Sequence, residues 1–237
     1  MTTRLELLPD VYLTAVQTSR FKTACFSLSF LRPLRQEEAG MNALLPSVLL
    51  RGSESAPSIR AIADRLDALC GASVGSLVRK KGEIQLTGLF ADGLEDRYAG
   101  EPVFSRLLEL TAELLLRPRT QGGVFVPQIV MQERQKLLDT IESTLDDKAE
   151  YCQTQLLRQM CRGEAYAVGR LGEAGPLAAV DEAALWAHYQ KVLASSRAEL
   201  FYLGSKPAQE VAALLRPLLK DLPRGACVPV STAPGPQ

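Results

Sequence analysis

From Met41 to Leu49 the apolar residues Met41, Leu44, Leu45, Val48 and Leu49 recur at the three-and-four spacing of one helix face, and Gly52 supplies a C-terminal stop. The pattern predicts a helix within 38–53, followed by a polar loop from Ser53 to Ser58. Ahead of it, residues 10–17 and 22–31 alternate apolar and polar positions, with Cys25 out of phase. They read as two strands of an antiparallel pair, closed by Pro33. After it, Pro57-Ser58 opens a second helix with Ile59, Ile62, Ala63, Leu66 and Leu69 on one face and Gly71 at its end. Residues 72–79 and 83–91 are β-rich runs joined through Lys80-Lys81-Gly82, a hairpin signal, and 92–102 is a polar loop. A helix over 103–117 uses Phe104, Leu107, Leu108, Leu110, Thr111, Leu114 and Leu115, and Pro118 stops it.

Gly122-Gly123 then breaks the chain. The longest helical pattern runs from Pro127 to about Cys161 on Ile129, Val130, Leu137, Leu138, Ile141, Leu145, Leu156 and Leu157. Residues 163–175 are glycine-rich and irregular, 181–193 form a helix with Asp181 as N-cap, 197–203 a strand, and 206–220 a helix introduced by Pro207. The order ββ-α-α-ββ-α-α-α-β-α is that of an α+β fold, a mostly antiparallel sheet packed against helices on one side. Residues 1–222 read as a single domain and 223–237, with Pro223, Pro229, Pro234 and Pro236, as a proline-rich linker or frayed tail.

Composition narrows the function classes. A chain of 237 residues buries enough surface for a real core, and 46% hydrophobic with 23% charged residues is ordinary for a globular protein. Lys plus Arg and Asp plus Glu are both 27, so no global field draws in nucleic acid or an acidic membrane. No apolar run reaches the ~18 residues of a membrane span, and the start carries no signal-peptide pattern. Five scattered cysteines, Cys25, Cys70, Cys152, Cys161 and Cys227, suit free and mostly buried thiols in a reducing cytoplasm.

The chemistry-bearing residues are sparse. His188 is the single histidine, so a two-histidine zinc site within this chain is impossible, and Trp186-Ala-His-Tyr-Gln offers it no nucleophile or orienting partner. A helix-surface or partly buried histidine is the expectation. Gly169, Gly172 and Gly175 lack the preceding strand that a phosphate loop needs. Asp146, Asp147 and Glu150 read as a solvated acidic face, and Lys80-Lys81 as a solvated hairpin tip.

The run Val48-Leu-Leu-Arg-Gly-Ser53 resembles the end of the active-site helix of the pitrilysin/insulinase-like zinc peptidases, where an inverted H-x-x-E-H motif precedes M-L-F-K-G-T. Aligned on the Gly-Ser end, the resemblance puts the first metal histidine on Ala43, the general-base glutamate on Pro46 and the second histidine on Ser47. Leu114-Leu-Leu-Arg-Pro118 resembles the family's LLLNP helix end. Arg197 to Ser205, ending Phe-Tyr-Leu-Gly-Ser, is similar to its strand before the last helix. In Gln128 to Glu142, Glu133-Arg134 matches the family's E-R pair, which puts the third metal ligand on Thr140. None of the four residues offers zinc the imidazole or carboxylate it needs, and Pro46 predicts a kink or a helix beginning near it. The resemblance therefore implies an inactive member: no catalytic residues, no metal ligands, no cofactor. It implies a peptide or protein substrate held for an active zinc peptidase homologue, or for a second copy of the chain, with neither nucleic acid nor membrane as partner. The Asn42-Ala-Leu-Leu-Pro46 variant is similar to a bacterial inactive branch linked with modification of elongation factor P. Family members add a peptide as a strand to an exposed sheet edge, here by position Val74, Gly75, Ser76, Leu77, Val78 and Arg79, and a proline at Leu77 tests that. One copy of a domain that active chains repeat implies a piece of a longer protein. Two other classes stay open: a hydrolase that borrows ligands from another chain or pairs a serine with His188, and a purely structural dimerisation module.

Overall fold

The computed structural model describes residues 1–144 and 146–230, so the places predicted for Leu145, Pro234 and Pro236 lie outside the described residues. The strands are β1 (Thr2–Leu8), β2 (Val11–Gln17), β3 (Thr23–Pro33), β4 (Ser73–Lys81), β5 (Ile84–Leu94), β6 (Thr120–Gln121), β7 (Val124–Phe125) and β8 (Arg197–Gly204). The helices are α1 (Gln36–Leu49), α2 (Ile59–Asp67), α3 (Asp96–Ala99), α4 (Val103–Leu116), α5 (Pro127–Ser143), α6 (Lys148–Met160), α7 (Ala174–Ala178), α8 (Glu182–Ser195) and α9 (Ala208–Leu219). The fold is the expected α+β arrangement. A six-stranded sheet runs β1-β2-β8-β3-β5-β4, and β6 and β7 form a separate small hairpin around Gly122-Gly123.

Strand alternation decides which face of the sheet is covered. Val11, Leu13 and Ala15 of β2, Phe26, Leu28 and Phe30 of β3, Leu89 and Ala91 of β5, and Ala198, Leu200 and Tyr202 of β8 are buried. Helices α1, α4, α8 and α9 pack over this side. The opposite face carries Thr14, Ser27, Ser29, Phe90 and Phe201 and stays open.

One prediction about pairing and one about helix length need correction. Strands β2 and β3 are not partners, because β8 runs between them, parallel to β2 and antiparallel to β3. A strand so distant in sequence cannot be placed from local alternation. Strand β1, which pairs antiparallel with β2, is masked in the sequence by its polar Thr2-Thr-Arg start. The long pattern from Pro127 to Cys161 is two helices. Asp147 accepts from the amides of Ala149 and Glu150, both at 3.0 Å, and this N-cap starts α6 afresh. No residue of α6 is buried, and Leu156 and Met160 are exposed, so its apolar periodicity does not mark a core face.

The thiols are free as expected but not buried: Cys70 and Cys152 are exposed, and Cys25, Cys161 and Cys227 are half-buried. The segment from Pro223 to Val230 has no helix or strand. Its Arg224 nonetheless donates to the carbonyls of Pro9, Leu193 and Ser196, and the Gly225 and Val228 amides donate to Ala194 and Ser195.

Candidate functional site

Helix α1 lies beneath β4 and β5 and packs against α5 and α7. It is continuous from Gln36 through Pro46 to Leu49, so it does not begin near the proline. Pro46 has no N–H, which leaves the Asn42 carbonyl, four residues earlier, without its helical donor. Thr87 on β5 replaces that donor: its hydroxyl donates to the Asn42 carbonyl at 2.6 Å. All three residues are buried. The helix survives its internal proline because the sheet satisfies the carbonyl that the proline orphans.

The Asn42 side chain is the centre of a buried polar seam. Its Nδ2 donates to Gln85 Oε1 at 2.9 Å, and its Oδ1 accepts from His188 Nε2 at 2.7 Å, which fixes the proton of a neutral His188 on Nε2. Gln85 Nε2 in turn donates to the carbonyls of Ala39 (3.0 Å) and Arg170 (2.7 Å). The single histidine is therefore neither on the helix surface nor idle; it is 5% exposed and holds α8 to α1. Burial, opposed by Glu38 and reinforced by Arg32 and Lys191, lowers its pKa to about 4.

A second buried group adjoins the first. Arg32 forks onto Glu38 at 2.6 and 3.1 Å, with both side chains almost fully enclosed, and Lys191 reaches the other carboxylate oxygen at 2.6 Å. Burial alone would raise the Glu38 carboxyl, but the hydrogen bonds from Lys191 and Arg32 outweigh it and hold the group below its ordinary value. The C-terminal end of the α1 run is fixed similarly. Glu113 of α4 accepts from the Ser53 hydroxyl (2.6 Å), the Ser55 amide (3.0 Å) and Arg65 (3.1 Å), and these bonds overcome burial to bring its pKa to about 2.

The positions that the resemblance gives to the metal offer nothing for it. Ala43 and Pro46 are buried, and Ser47 is half-buried. Thr140, on α5, is exposed and donates its hydroxyl to the Lys136 carbonyl. A methyl, a pyrrolidine ring and two hydroxyls do not fit zinc, which takes imidazole, thiolate or carboxylate. Among the described residues no group of three or more His, Cys, Asp and Glu could hold a metal ion. Glu133 is nearly buried and already paired, at 2.9 Å each, with Arg51 just beyond α1 and with Lys136.

The glycine-rich segment is a packing device. A Cβ on Gly172 would meet the backbone nitrogen of Gly40 at 2.5 Å, so two glycines let this loop lie directly on the first half of α1. Lys80, expected in solvent, bonds to the Tyr166 and Val168 carbonyls and lies over the Tyr166 ring at 4.0 Å.

Residues Val74 to Arg79 lie in β4, the last strand of the sheet, paired among the described residues only with β5. Its hairpin closes on Gly82 (φ 59°) and Glu83, the pattern of a type II′ turn. In such a hairpin Lys81 and Ile84 form a hydrogen-bonded pair, and alternation then directs the backbone groups of Arg79, Leu77, Gly75 and Ser73 at β5. Those of Val74, Ser76, Val78 and Lys80 point outward, along a free edge.

Sequence reasoning misses Asn42, Gln85, Thr87, Glu38 and Arg32 as a group. A signal exists for two of them: Gln85 and Thr87 occupy the same strand face as Leu89 and Ala91, and polar residues at core positions require buried partners.

The sheet, its helix layer and an α1 without histidine or carboxylate at Ala43, Pro46 and Ser47 are the features of a peptidase-like domain that lacks the expected metal ligands. No protein-family model matches the chain. Over 198 residues it is 31% identical to the probable inactive metalloprotease YmfF of Bacillus subtilis (strain 168), a match that takes in 83% of this chain and 46% of that protein. It superposes on a conserved protein from Enterococcus faecalis V583 with a TM-score of 0.88 and 26% identity, over 98% of this chain and 56% of that one. An M16 peptidase inactive domain from Pseudomonas fluorescens gives 0.77 and 17%, over 99% and 54%. The chain spans about half the length of these relatives. The domain is thus similar to the pitrilysin/insulinase-like peptidases, and two of these relatives, YmfF and the Pseudomonas domain, are themselves described as inactive.

Proposed function

We propose that this domain holds a peptide or protein segment and pairs with a zinc-bearing homologue, or with a second copy of itself, without performing hydrolysis. The observation that carries the reading is the free edge of β4 directly beside a helix α1 that has no metal ligands. An extended segment added to that edge would gain main-chain hydrogen bonds at Val74, Ser76, Val78 and Lys80. Zinc plays no part in this reading, because the donor set that would bind it is absent at Ala43, Pro46, Ser47 and Thr140. Five free thiols suit a reducing, cytoplasmic setting.

The register moves the decisive substitution. A proline at Leu77 would remove a bond within the β4–β5 ladder and damage the fold itself, whereas Ser76→Pro removes an outward N–H and leaves the ladder intact. Peptide binding measured by fluorescence anisotropy should be lost in Ser76→Pro with the melting temperature little changed. Unchanged binding in that variant would remove the β4 edge as the site.

A further inference from the structure

The side chains along β4 differ in size and charge from one end to the other, and the inference drawn from them rests on the edge-strand reading above. On the open face of the sheet, Gly75, Leu77 and Arg79 stand in register with Phe90, Gly88 and Leu86 of β5. Gly75 has no side chain, and the Phe90 ring covers its place: a Cβ built there would lie 2.5 Å from the ring. A peptide residue opposite Gly75 would therefore reach past the strand to Phe90 itself. One opposite Leu77 would meet an aliphatic side chain. Both open onto a trough of about 770 Å³ walled by Leu77, Leu86, Phe90 and Phe201, in which Phe201 is 38% exposed and Ser27 lies between the two phenyl rings in register.

The charge at the two ends of the strand differs. At the Ser73 end Asp92 accepts from the Ser73 hydroxyl, so a carboxylate stands there. At the other end Arg79 and Lys81 are exposed on the same open face and have no ion-pair partner among the described residues. By contrast Lys80, on the helix side, is already engaged by two carbonyls and a ring. We propose that β4 selects an extended segment with an aromatic or large apolar residue opposite Gly75, an apolar residue opposite Leu77 and an acidic residue opposite Arg79, each separated by one position. Cross-strand pairs of this kind act over about 4.5–5.5 Å between Cβ atoms, and like charges directly opposite one another are repelled.

The test uses fluorescein-labelled heptapeptides, Thr-Glu-Thr-Leu-Thr-Phe-Thr and its reversed sequence, since either strand direction satisfies the register. Each has a counterpart with Lys for Glu. The acidic member of the favoured direction should bind about five- to tenfold tighter than its lysine counterpart at low salt, and Arg79→Glu should reverse the order. Phe90→Ala should erase any preference for Phe over Ala in the peptide while leaving the charge preference in place. Equal binding of the acidic and basic peptides, or a preference that Arg79→Glu does not move, would overturn the selection rule; loss of both in Ser76→Pro would then still support the edge itself. Absence of binding by every peptide would overturn the two readings together.

Discussion

The accommodation of Pro46 inside α1 can be measured by a double-mutant cycle. Thr87→Val keeps the β-branched shape in β5 and removes only the hydroxyl that satisfies the Asn42 carbonyl at 2.6 Å. In the wild-type background that carbonyl has no helical donor, because residue 46 is proline. The substitution leaves a buried acceptor unsatisfied and should cost about 1–3 kcal/mol. For a domain of this size that is a fall in melting temperature of roughly 2–12 °C. With Pro46→Ala the residue-46 amide returns and bonds to Asn42 itself, so the same Thr87→Val change should then cost less than about 1 kcal/mol. The expected coupling between the two positions is about 1–2 kcal/mol, read from urea denaturation of the four proteins at matched m-values. Equal costs of Thr87→Val in the wild-type and Pro46→Ala backgrounds would refute the reasoning, since Thr87 would then stabilise the fold by some other route.

Three further outcomes follow from the same geometry. The folded His188 titrates at about 4 and an unfolded histidine near 6.5, so as pH falls the unfolded chain takes the proton first. The stability present above about pH 6.5 should drain away toward pH 4 by about 3 kcal/mol. His188→Gln, which retains a donor for Asn42 but does not titrate, should flatten that slope in denaturation curves taken from pH 7 to 4, and an unchanged slope would place the titration elsewhere. Elemental mass spectrometry of the protein dialysed against metal-free buffer should find no zinc, whereas one zinc per chain would overturn the ligand assignment at Ala43, Pro46, Ser47 and Thr140. Ellman's reagent should modify Cys70 and Cys152 quickly and Cys25 more slowly, because burial raises the Cys25 thiol pKa; uniform rates for the three would contradict the fold around Cys25.

What the sequence carries legibly is periodic. The helix faces of α1 and α4 and the β4–β5 hairpin follow from side chains three, four or two positions apart, and a single chain displays those spacings directly. The absence of imidazole and carboxylate at Ala43, Pro46, Ser47 and Thr140 is equally legible, since it needs only residue identities. What stays hidden is long-range. The parallel seat of β8 beside β2, the proton on His188 and the service of Thr87 to Asn42 all join residues 45 or more apart. Such contacts leave no local periodicity. The break between α5 and α6 is obscured for a different reason: Leu156 and Leu157 continue a helical spacing, but the Asp147 cap outweighs it locally.

The two sides of α1 have been put to different uses, and that bears on what can be restored. Asn42 and Pro46 face the sheet, where Thr87 and Gln85 bind the first and compensate for the second. Gly40 faces the layer that contains Leu177, which lies 3.4 Å from a Cβ on Gly40. A histidine at Ala43, which is only 4% exposed, would have to displace packed neighbours, and overpacking costs about 1–3 kcal/mol. A glutamate at Pro46 would bring a carboxylate into a seam whose hydrogen bonds are already complete, since none of the buried side-chain polar atoms lacks a partner among the described residues. Installing Ala43→His, Pro46→Glu, Ser47→His and Thr140→Glu should therefore lower stability before zinc is added and regain it on zinc binding, as a ligand that binds only the folded state must do. A variant that takes up no zinc would count against the assignment of the ligand positions to Ala43, Pro46, Ser47 and Thr140.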